Sequence, residues 1–403
     1  MTYWLIAGLC FIFATTLFML FRWGNLPCTG PSPTKSLTFI AILFTSGLDV
    51  GLIMFPLTEF GMYANTTENP EYSFANPLAI EFGFWAFLIW TFYFMTCFYF
   101  CIIEPKVKFF EIPIVKFVNN IIIIGTCAFT GYLLLKNLPW YLPALSNDGE
   151  ISGYYYLIVF AVVVGSVLTS MSIRAIRILS VSTTWFFLAL IGLLVYGAVS
   201  SGTVDLYTYP QTIALVGEYF TNIHQFAFPM SDYHQFYLFW WLAWCIMIGQ
   251  FTSRFAGGLR TYQLLLAMLV LPSVMIIAWF SILYIYHVNQ IDISGMYTIA
   301  MVVVGIVFVL NSLDSLTRLY TDNLNFTVKR YGKAKYILGN ILLLSSLVLF
   351  FQLDFLQIEW IGSIVIGIFF SCTTYVLIKK REVISEIDKT LITESDPKTV
   401  EAA

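Results

Sequence analysis

The sequence predicts an all-α integral membrane protein that crosses the bilayer about eleven times, and three observations predict it. Hydrophobic residues make up 59% of the 403 and charged residues only 11%, with a mean hydropathy of +0.82. That balance excludes a soluble domain. Apolar windows of about 20 residues, long enough to span a hydrocarbon core, recur along the whole chain. The Lys and Arg residues concentrate in alternate connecting segments, as cytoplasmic loops should hold them. The net charge of −3 says little by itself, and no nucleic-acid footprint is visible.

In order, the windows are Tyr3–Phe21, Leu37–Tyr63, Pro77–Ile103, Ile112–Leu135, Tyr154–Ile173, Thr183–Val199, Tyr233–Phe251, Tyr262–Tyr286, Met296–Leu316, Tyr336–Leu353 and Ile358–Ile378. The first lacks a basic n-region and a small-residue cleavage site, so it reads as a retained helix. Counted from an external N-terminus, the inside segments hold Arg22 and Lys35, then Lys106, Lys108 and Lys116, then Arg174 and Arg177, then Arg254 and Arg260, then Arg318, Lys329, Arg330, Lys333 and Lys335. Of the loop cations only Lys136 falls outside. A missed or invented span would scramble that alternation. The outside segments carry Glu68, Glu71, Asp148, Glu150, Asp205, Glu218, Asp232, Asp292 and Asp354, and the tripeptide Asn65-Thr66-Thr67.

Seven cysteines lie mostly inside apolar runs with no CxxC spacing and no histidine to complete a metal site, so they read as small apolar side chains. The polar segment from Ser200 to Asp232 contains an amphipathic stretch, Glu218 to Phe226, that is too polar to span and is expected in the interface plane. The tail beyond Arg381 reads as a short, partly disordered extension. The organisation is therefore an extra N-terminal helix over 1–22, a five-helix group over 36–199, an external loop with an interfacial helix over 200–232, a second five-helix group over 233–378 and a tail over 379–403. Five plus five permits an inverted repeat.

The chemistry centres on Ser46-Gly47-Leu48-Asp49-Val50-Gly51. A carboxylate in mid-membrane costs about 2.5–3.5 kcal/mol, and each glycine lowers helix stability by about 1 kcal/mol relative to Ala. A helix unwound here would aim carbonyls and amides at an ion or substrate, with Gly47 and Gly51 as hinges. The two glycines, four apart, also suit a close helix-packing face. Packing gives no reason for Asp49.

A family resemblance rests on four stretches. The run Phe239-Trp240-Trp241-Leu242-Ala243-Trp244, continuing to Ser253-Arg254-Phe255-Ala256-Gly257-Gly258-Leu259-Arg260-Thr261, resembles the signature helix and cytoplasmic turn of the betaine/choline/carnitine transporter family. Gly47 to Phe55 followed by Thr58-Glu59 resembles that family's glycine-rich helix, Ile173 to Ser180 its next basic turn, and Asn311-Ser312-Leu313-Asp314-Ser315 its Thr-Ser-Ala-Asp-Ser. All four occur in family order and spacing. The resemblance implies a LeuT-type fold, two inverted five-helix repeats plus one extra N-terminal helix, and alternating access. It implies a multi-pass protein of the plasma (inner) membrane in contact with lipid, a homo-oligomer (a trimer), and no cofactor beyond a coupling ion, sodium or a proton.

The chain departs from the family at several points. Members usually carry one more helix at the front. The family's middle glycine is Asp49 here, its Thr-Ser pair is Asn311-Ser312, and its Glu-Pro is Glu59-Phe60. The family's aromatic box draws a Trp, a Trp and a Tyr from the next helix, and alignment by spacing puts Ser73, Leu78 and Glu81 there. Trp240, Trp241 and Trp244 then remain as the substrate contacts. Three residues so close cannot all point inward from one helix, and Trp241 with Trp244 shares a face. In membrane helices such aromatics also serve as packing or interfacial anchors.

Asp49 and Glu81, if both face the central cavity, would favour a cation without a carboxylate, choline or another amine. Alternatively either is a proton carrier, since burial raises a carboxyl pKa, or Glu81 is a solvated residue near the outer mouth. A sodium site would take the Ser312 hydroxyl and the Asn311 side-chain oxygen with the carbonyls of Thr45 and Leu48, against the plainer reading of a polar helix contact. Asp314 and Arg318, i and i+4, read as a local pair or inner gate. The leading expectation is cation-coupled uptake, a symport, of a small amine or quaternary-ammonium solute. The alternatives are a different cationic amine or amino acid, or a non-transporting sensor on the same fold. No HExxH, GxSxG or Walker loop is present to support an enzyme.

Overall fold

The structure is a computed structural model and describes residues 1–30, 36–47, 50–145 and 150–395. Among the described residues ten helices are long and apolar enough to cross a membrane. They are α1 (Thr2–Trp23), α5 (Pro77–Val107), α6 (Pro113–Tyr141), α7 (Gly153–Ser170), α8 (Ile173–Ser200), α10 (Asp232–Phe255), α11 (Thr261–Val288), α12 (Met296–Asn323), α13 (Lys333–Gln352) and α14 (Ile358–Lys379). The sequence window at 37–63 is not one helix. It is three, α2 (Ser36–Ser46), α3 (Val50–Met54) and α4 (Pro56–Ala64). Between α8 and α10 lies the short α9 (Thr208–Leu215), and α15 (Arg381–Ser395) closes the described chain.

The breaks have identifiable causes. Pro56, the first residue of α4, has no N–H to continue the ladder from α3. The carbonyls left there find side chains: Trp279 Nε1 donates to Leu52 O at 2.8 Å, and the Tyr141 hydroxyl donates to Met54 O. The expected continuous helix at 77–103 is interrupted as well, at Ala86–Ile89, where Phe87 takes φ +51°. There Trp241 Nε1 donates to Phe84 O at 2.7 Å, Phe87 N donates to Ser273 Oγ at 3.0 Å, and Leu88 N donates to the Tyr219 hydroxyl at 3.3 Å. Three side chains from three other elements thus satisfy the groups that a hydropathy profile assigns to an unbroken ladder.

Most of the main packing pairs follow a pattern, while α4 on α5, α6 on α7 and α8 on α11 fall outside it. The broken segment α2–α4 lies against α8, α11 and α12, while α10 lies against α14, α5 and α6. α6 packs on α12, α13 and α14, and α12 packs on α6, α7 and α8. α5 meets α11, and α7 meets α13. Replacing each helix of the first group by its counterpart in the second, and the reverse, turns every pair in that pattern into one of the same set. α1 stands outside the pattern, against α5 and α14.

The segment after α8 does more than lie at an interface. Glu218 Oε2 accepts from Asn76 N at 2.7 Å, Tyr219 meets Phe82 edge to face at 5.0 Å, and Phe226 covers Gly83 so closely that a Cβ would fall 2.1 Å from its ring. It caps the start of α5. The tail also differs from expectation: Val383 and Ile387, four apart on α15, are buried, and Asp388 takes two hydrogen bonds from Arg22, at 2.7 and 3.0 Å, and one from Trp23 Nε1 at 2.9 Å. One apolar stripe and one bidentate ion pair fix a helix whose composition is otherwise that of a solvated tail.

Candidate functional site

Asp49 and Leu48, on which the sequence reading placed a carboxylate and a carbonyl ligand, lie outside the described residues. Gly47 ends α2 against Trp90, and a Cβ there would come within 2.8 Å of its ring. Gly51 enters α3 between two indoles, and its Cβ would fall 2.4 Å from Trp85 and 3.0 Å from Trp240. Each glycine is the only residue that lets an indole approach so closely. The close-packing part of the sequence reading thus holds at both residues, Gly51 within α3 itself.

Trp240, Trp241 and Trp244 are all buried, at 0–1% exposure. All three can be buried because α10 packs against α5, α6 and α14 among others, while only Trp240 and Trp241 join the ring cluster described next. Trp240 and Trp241 stack, with centroids 5.1 Å apart and planes at 9°. Across from them stands Trp85 of α5, edge to face at 5.5 Å from Trp240 and 5.0 Å from Trp241. Trp90 and Tyr93 continue the wall, 5.0 Å apart, with Tyr93 6.4 Å from Trp241. Phe55, at the junction of α3 and α4, closes it at 6.0 Å from Trp85 and 5.9 Å from Trp240.

Trp85, Trp90 and Tyr93 have the same spacing as Ser73, Leu78 and Glu81, further along the chain, and are of the Trp, Trp, Tyr types that the resemblance leads one to seek. A search for Trp and Tyr at that spacing inside an apolar window would have found them.

Glu81 lies on the same helix as these rings. It lies a turn before Trp85, wholly buried, so it is not a solvated residue at the mouth. Beside it is Glu59 of α4, which the sequence reading did not single out. Glu59 Oε2 accepts from the Tyr63 hydroxyl at 2.7 Å, Tyr237 donates to both carboxylate oxygens at 2.9 and 3.1 Å, and Tyr233 donates to Oε1. Tyr237 in turn meets Trp85 at 5.6 Å and Trp240 at 5.5 Å. One ring separates the acidic group from the tryptophans. The signal in the sequence was a glutamate inside an apolar window.

The expected ion ligands are brought to one region. Thr45, Asn311 and Ser312 are buried where α2 meets α12. The Asn311 side chain bridges to α8, its oxygen accepting from Ser180 Oγ at 3.0 Å and its NH2 donating to Thr183 Oγ1 at 2.9 Å. The Thr45 hydroxyl donates back to Ala41 O at 2.8 Å. The expected Asp314–Arg318 pair does not form. Arg318 Nε bonds Asp322 at 2.9 Å, and Arg254 reaches the same carboxylate oxygen at 3.4 Å. Asp314 is buried instead, with Ser315 Oγ on one oxygen. Arg318 and Asp322 line a polar cavity of about 370 Å³ with Thr327, Lys329 and Tyr336, at the end of the molecule where α12 finishes.

The site, then, has a helix broken at glycines, an aromatic wall from two other helices, and buried acids one ring away. Comparison with known proteins points to transporters. The chain is 23% identical over 310 residues to the glycine betaine transporter OpuD of Bacillus subtilis. It is related to membrane transporters. A second relative, an uncharacterized transporter of Haemophilus influenzae, is 24% identical over 288 residues. These alignments cover 66% and 61% of this chain but 57% and 41% of the relatives, so the chain spans about half the length of the proteins it matches. No family model matches. Both relatives are transporters by name and neither is an enzyme.

Proposed function

We propose that the protein is a secondary transporter of a small quaternary-ammonium or amine solute, working by cation-coupled alternating access. The observation that carries this is the enclosure of Gly47 and Gly51 by Trp90, Trp85 and Trp240. Ring faces that now meet one another are the faces a quaternary ammonium would take, each good contact worth about 0.5–2 kcal/mol. The backbone that would move to admit it is the broken segment held against those rings. Half-helices beside a buried site are the usual construction of such transporters.

The exchange of packing pairs between the two five-helix groups supports a repeat of 36–199 on 233–378, and with it a LeuT-type arrangement. The counterpart α10 runs unbroken over Asp232–Thr252, so the hinge belongs to the first group alone. Buried acids near the aromatic wall favour a cation without its own carboxylate, choline before glycine betaine. The N-terminus is external and the tail cytoplasmic in this reading. Asn311, Ser312 and Thr45 remain the sodium-site candidates if sodium is the coupling ion.

The test is a titration of intrinsic tryptophan fluorescence in the purified protein with choline, glycine betaine, carnitine and primary amines, in sodium and in potassium. Saturable quenching by choline, weakened in Trp240→Ala, is the expected result. Silence for every quaternary amine with a response to another solute would overturn the substrate reading.

A further inference from the structure

Two carboxyl groups lie side by side in a wholly buried site, and their surroundings differ. Glu59 accepts from three tyrosine hydroxyls, those of Tyr63, Tyr233 and Tyr237. An oxygen pair that only accepts is satisfied as a carboxylate. Glu81 has no exposure, and no hydrogen bond of ordinary length and angle reaches its oxygens; its polar neighbours are Glu59, Tyr63 and the Trp85 indole. A bare charge there is opposed twice, by loss of water and by the adjacent carboxylate. We propose that Glu59 and Glu81 share one proton, carried on Glu81, and that this pair is the binding site of a coupling proton.

The other groups around the pair do not remove the need for that proton. Tyr63 stands on its own helix, Tyr72 in the turn before α5, Tyr141 on α6, and Tyr233 and Tyr237 on α10. His234 of α10 stacks on Phe84 at 4.5 Å, and His287 of α11 packs on Phe60 at 5.5 Å. No lysine or arginine among the described residues is paired with either glutamate. Two carboxyls in this position hold one proton between them, as like charges in contact cannot both persist in a dry site. When the surrounding helices part and water enters, the Glu81 O–H bond breaks and the proton leaves to water. The second negative charge is then solvated. When they close, the proton returns. Access and protonation are thereby linked, which is what coupling requires.

The inference rests on the transport reading for its purpose but is tested without a substrate. The full chain in liposomes is followed by infrared spectroscopy between about pH 5 and pH 10. The expected result is a protonated-carboxyl C=O band that shifts in heavy water, fades reversibly as pH rises, is lost in Glu81→Gln and shifts in Glu59→Gln. Asp314→Asn, at the other buried acid, leaves it in place. If Glu81→Gln does not fold, Tyr237→Phe takes its role: removing one donor from Glu59 shifts the same band. A spectrum without a Glu81-dependent band, or a band that does not respond to pH, overturns the proposal. Quaternary-amine binding in the fluorescence titration together with no such band would sink the proton pair and leave the transport reading. The band with no amine binding would do the reverse.

Discussion

Trp241 was read from the sequence as one of the substrate contacts, and the structure gives it a second task whose loss can be measured. Its Nε1 holds Phe84 O at 2.7 Å, at the break in α5. The amide that would otherwise take that carbonyl, Leu88 N, is bound to Tyr219. Trp241→Phe therefore strands a buried acceptor, at about 1–3 kcal/mol. The missing ring leaves space beside Trp85 and Trp240, at about 1–2 kcal/mol more. The sum is about 2–5 kcal/mol. At about 2 °C per kcal/mol for a long chain, thermal unfolding in detergent should fall by about 4–10 °C. Trp244→Phe is the control. Its Nε1 has no partner among the described residues, so only the packing part is lost and the fall should be about half as large or less. If Trp241→Phe is as stable as the parent, or no less stable than Trp244→Phe, the account of the α5 break is wrong. An intact fold with lost amine binding would make Trp241 a substrate contact alone.

Gly51→Ala drives a methyl group to 2.4 Å from Trp85; overpacking of about 1–3 kcal/mol should exceed the gain of about 1 kcal/mol in helix propensity, and choline quenching should weaken at least tenfold, whereas unchanged binding would refute the need for glycine there. Gly249→Ala should be worse, since its Cβ meets the backbone of Thr96 at 2.6 Å and backbone cannot give way; a normal yield of folded protein would contradict this. Asp322→Asn leaves Arg254 and Arg318 without their shared partner, and at these partly exposed positions a loss of about 1 kcal/mol is expected in a thermal melt; no change would mean that the cluster is slack. The Asp388 carboxyl is held below its usual range by hydrogen bonds from Arg22 and then Trp23. A lowered carboxyl pKa gives stability that is full above the unfolded value and is lost as pH falls through the folded one. Docking of α15 should therefore persist from pH 8 to 5, and give way only below the ordinary aspartate range; Asp388→Asn should free it at neutral pH. Limited proteolysis of the tail reads both, and release of the parent tail at pH 6 would refute the latch.

What could be read from the sequence divides along a physical line. Nine of the eleven apolar windows became single helices, because hydropathy summed over about 20 residues reports the one thing a membrane demands of a segment. The other two windows, Leu37–Tyr63 and Pro77–Ile103, are as apolar as the rest and are interrupted. Only the first announced itself, through Gly47 and Gly51. The interruption at Ala86 has no glycine or proline beside it. It exists because Trp241, Ser273 and Tyr219 arrive from distant parts of the chain to take the backbone groups, and no local pattern carries that information. The same holds for the acids. Asp49 drew attention as a charge between glycines, yet Glu59 is the carboxylate whose surroundings the structure explains, because its three tyrosines lie 4, 174 and 178 positions away in the chain. The tail was misjudged for a related reason. Composition averages over α15 and misses that Val383 and Ile387 stand on one face with Asp388 beside Arg22. In a membrane protein the spans follow from local hydropathy, while the site is made where spans are broken and repaired by side chains from elsewhere.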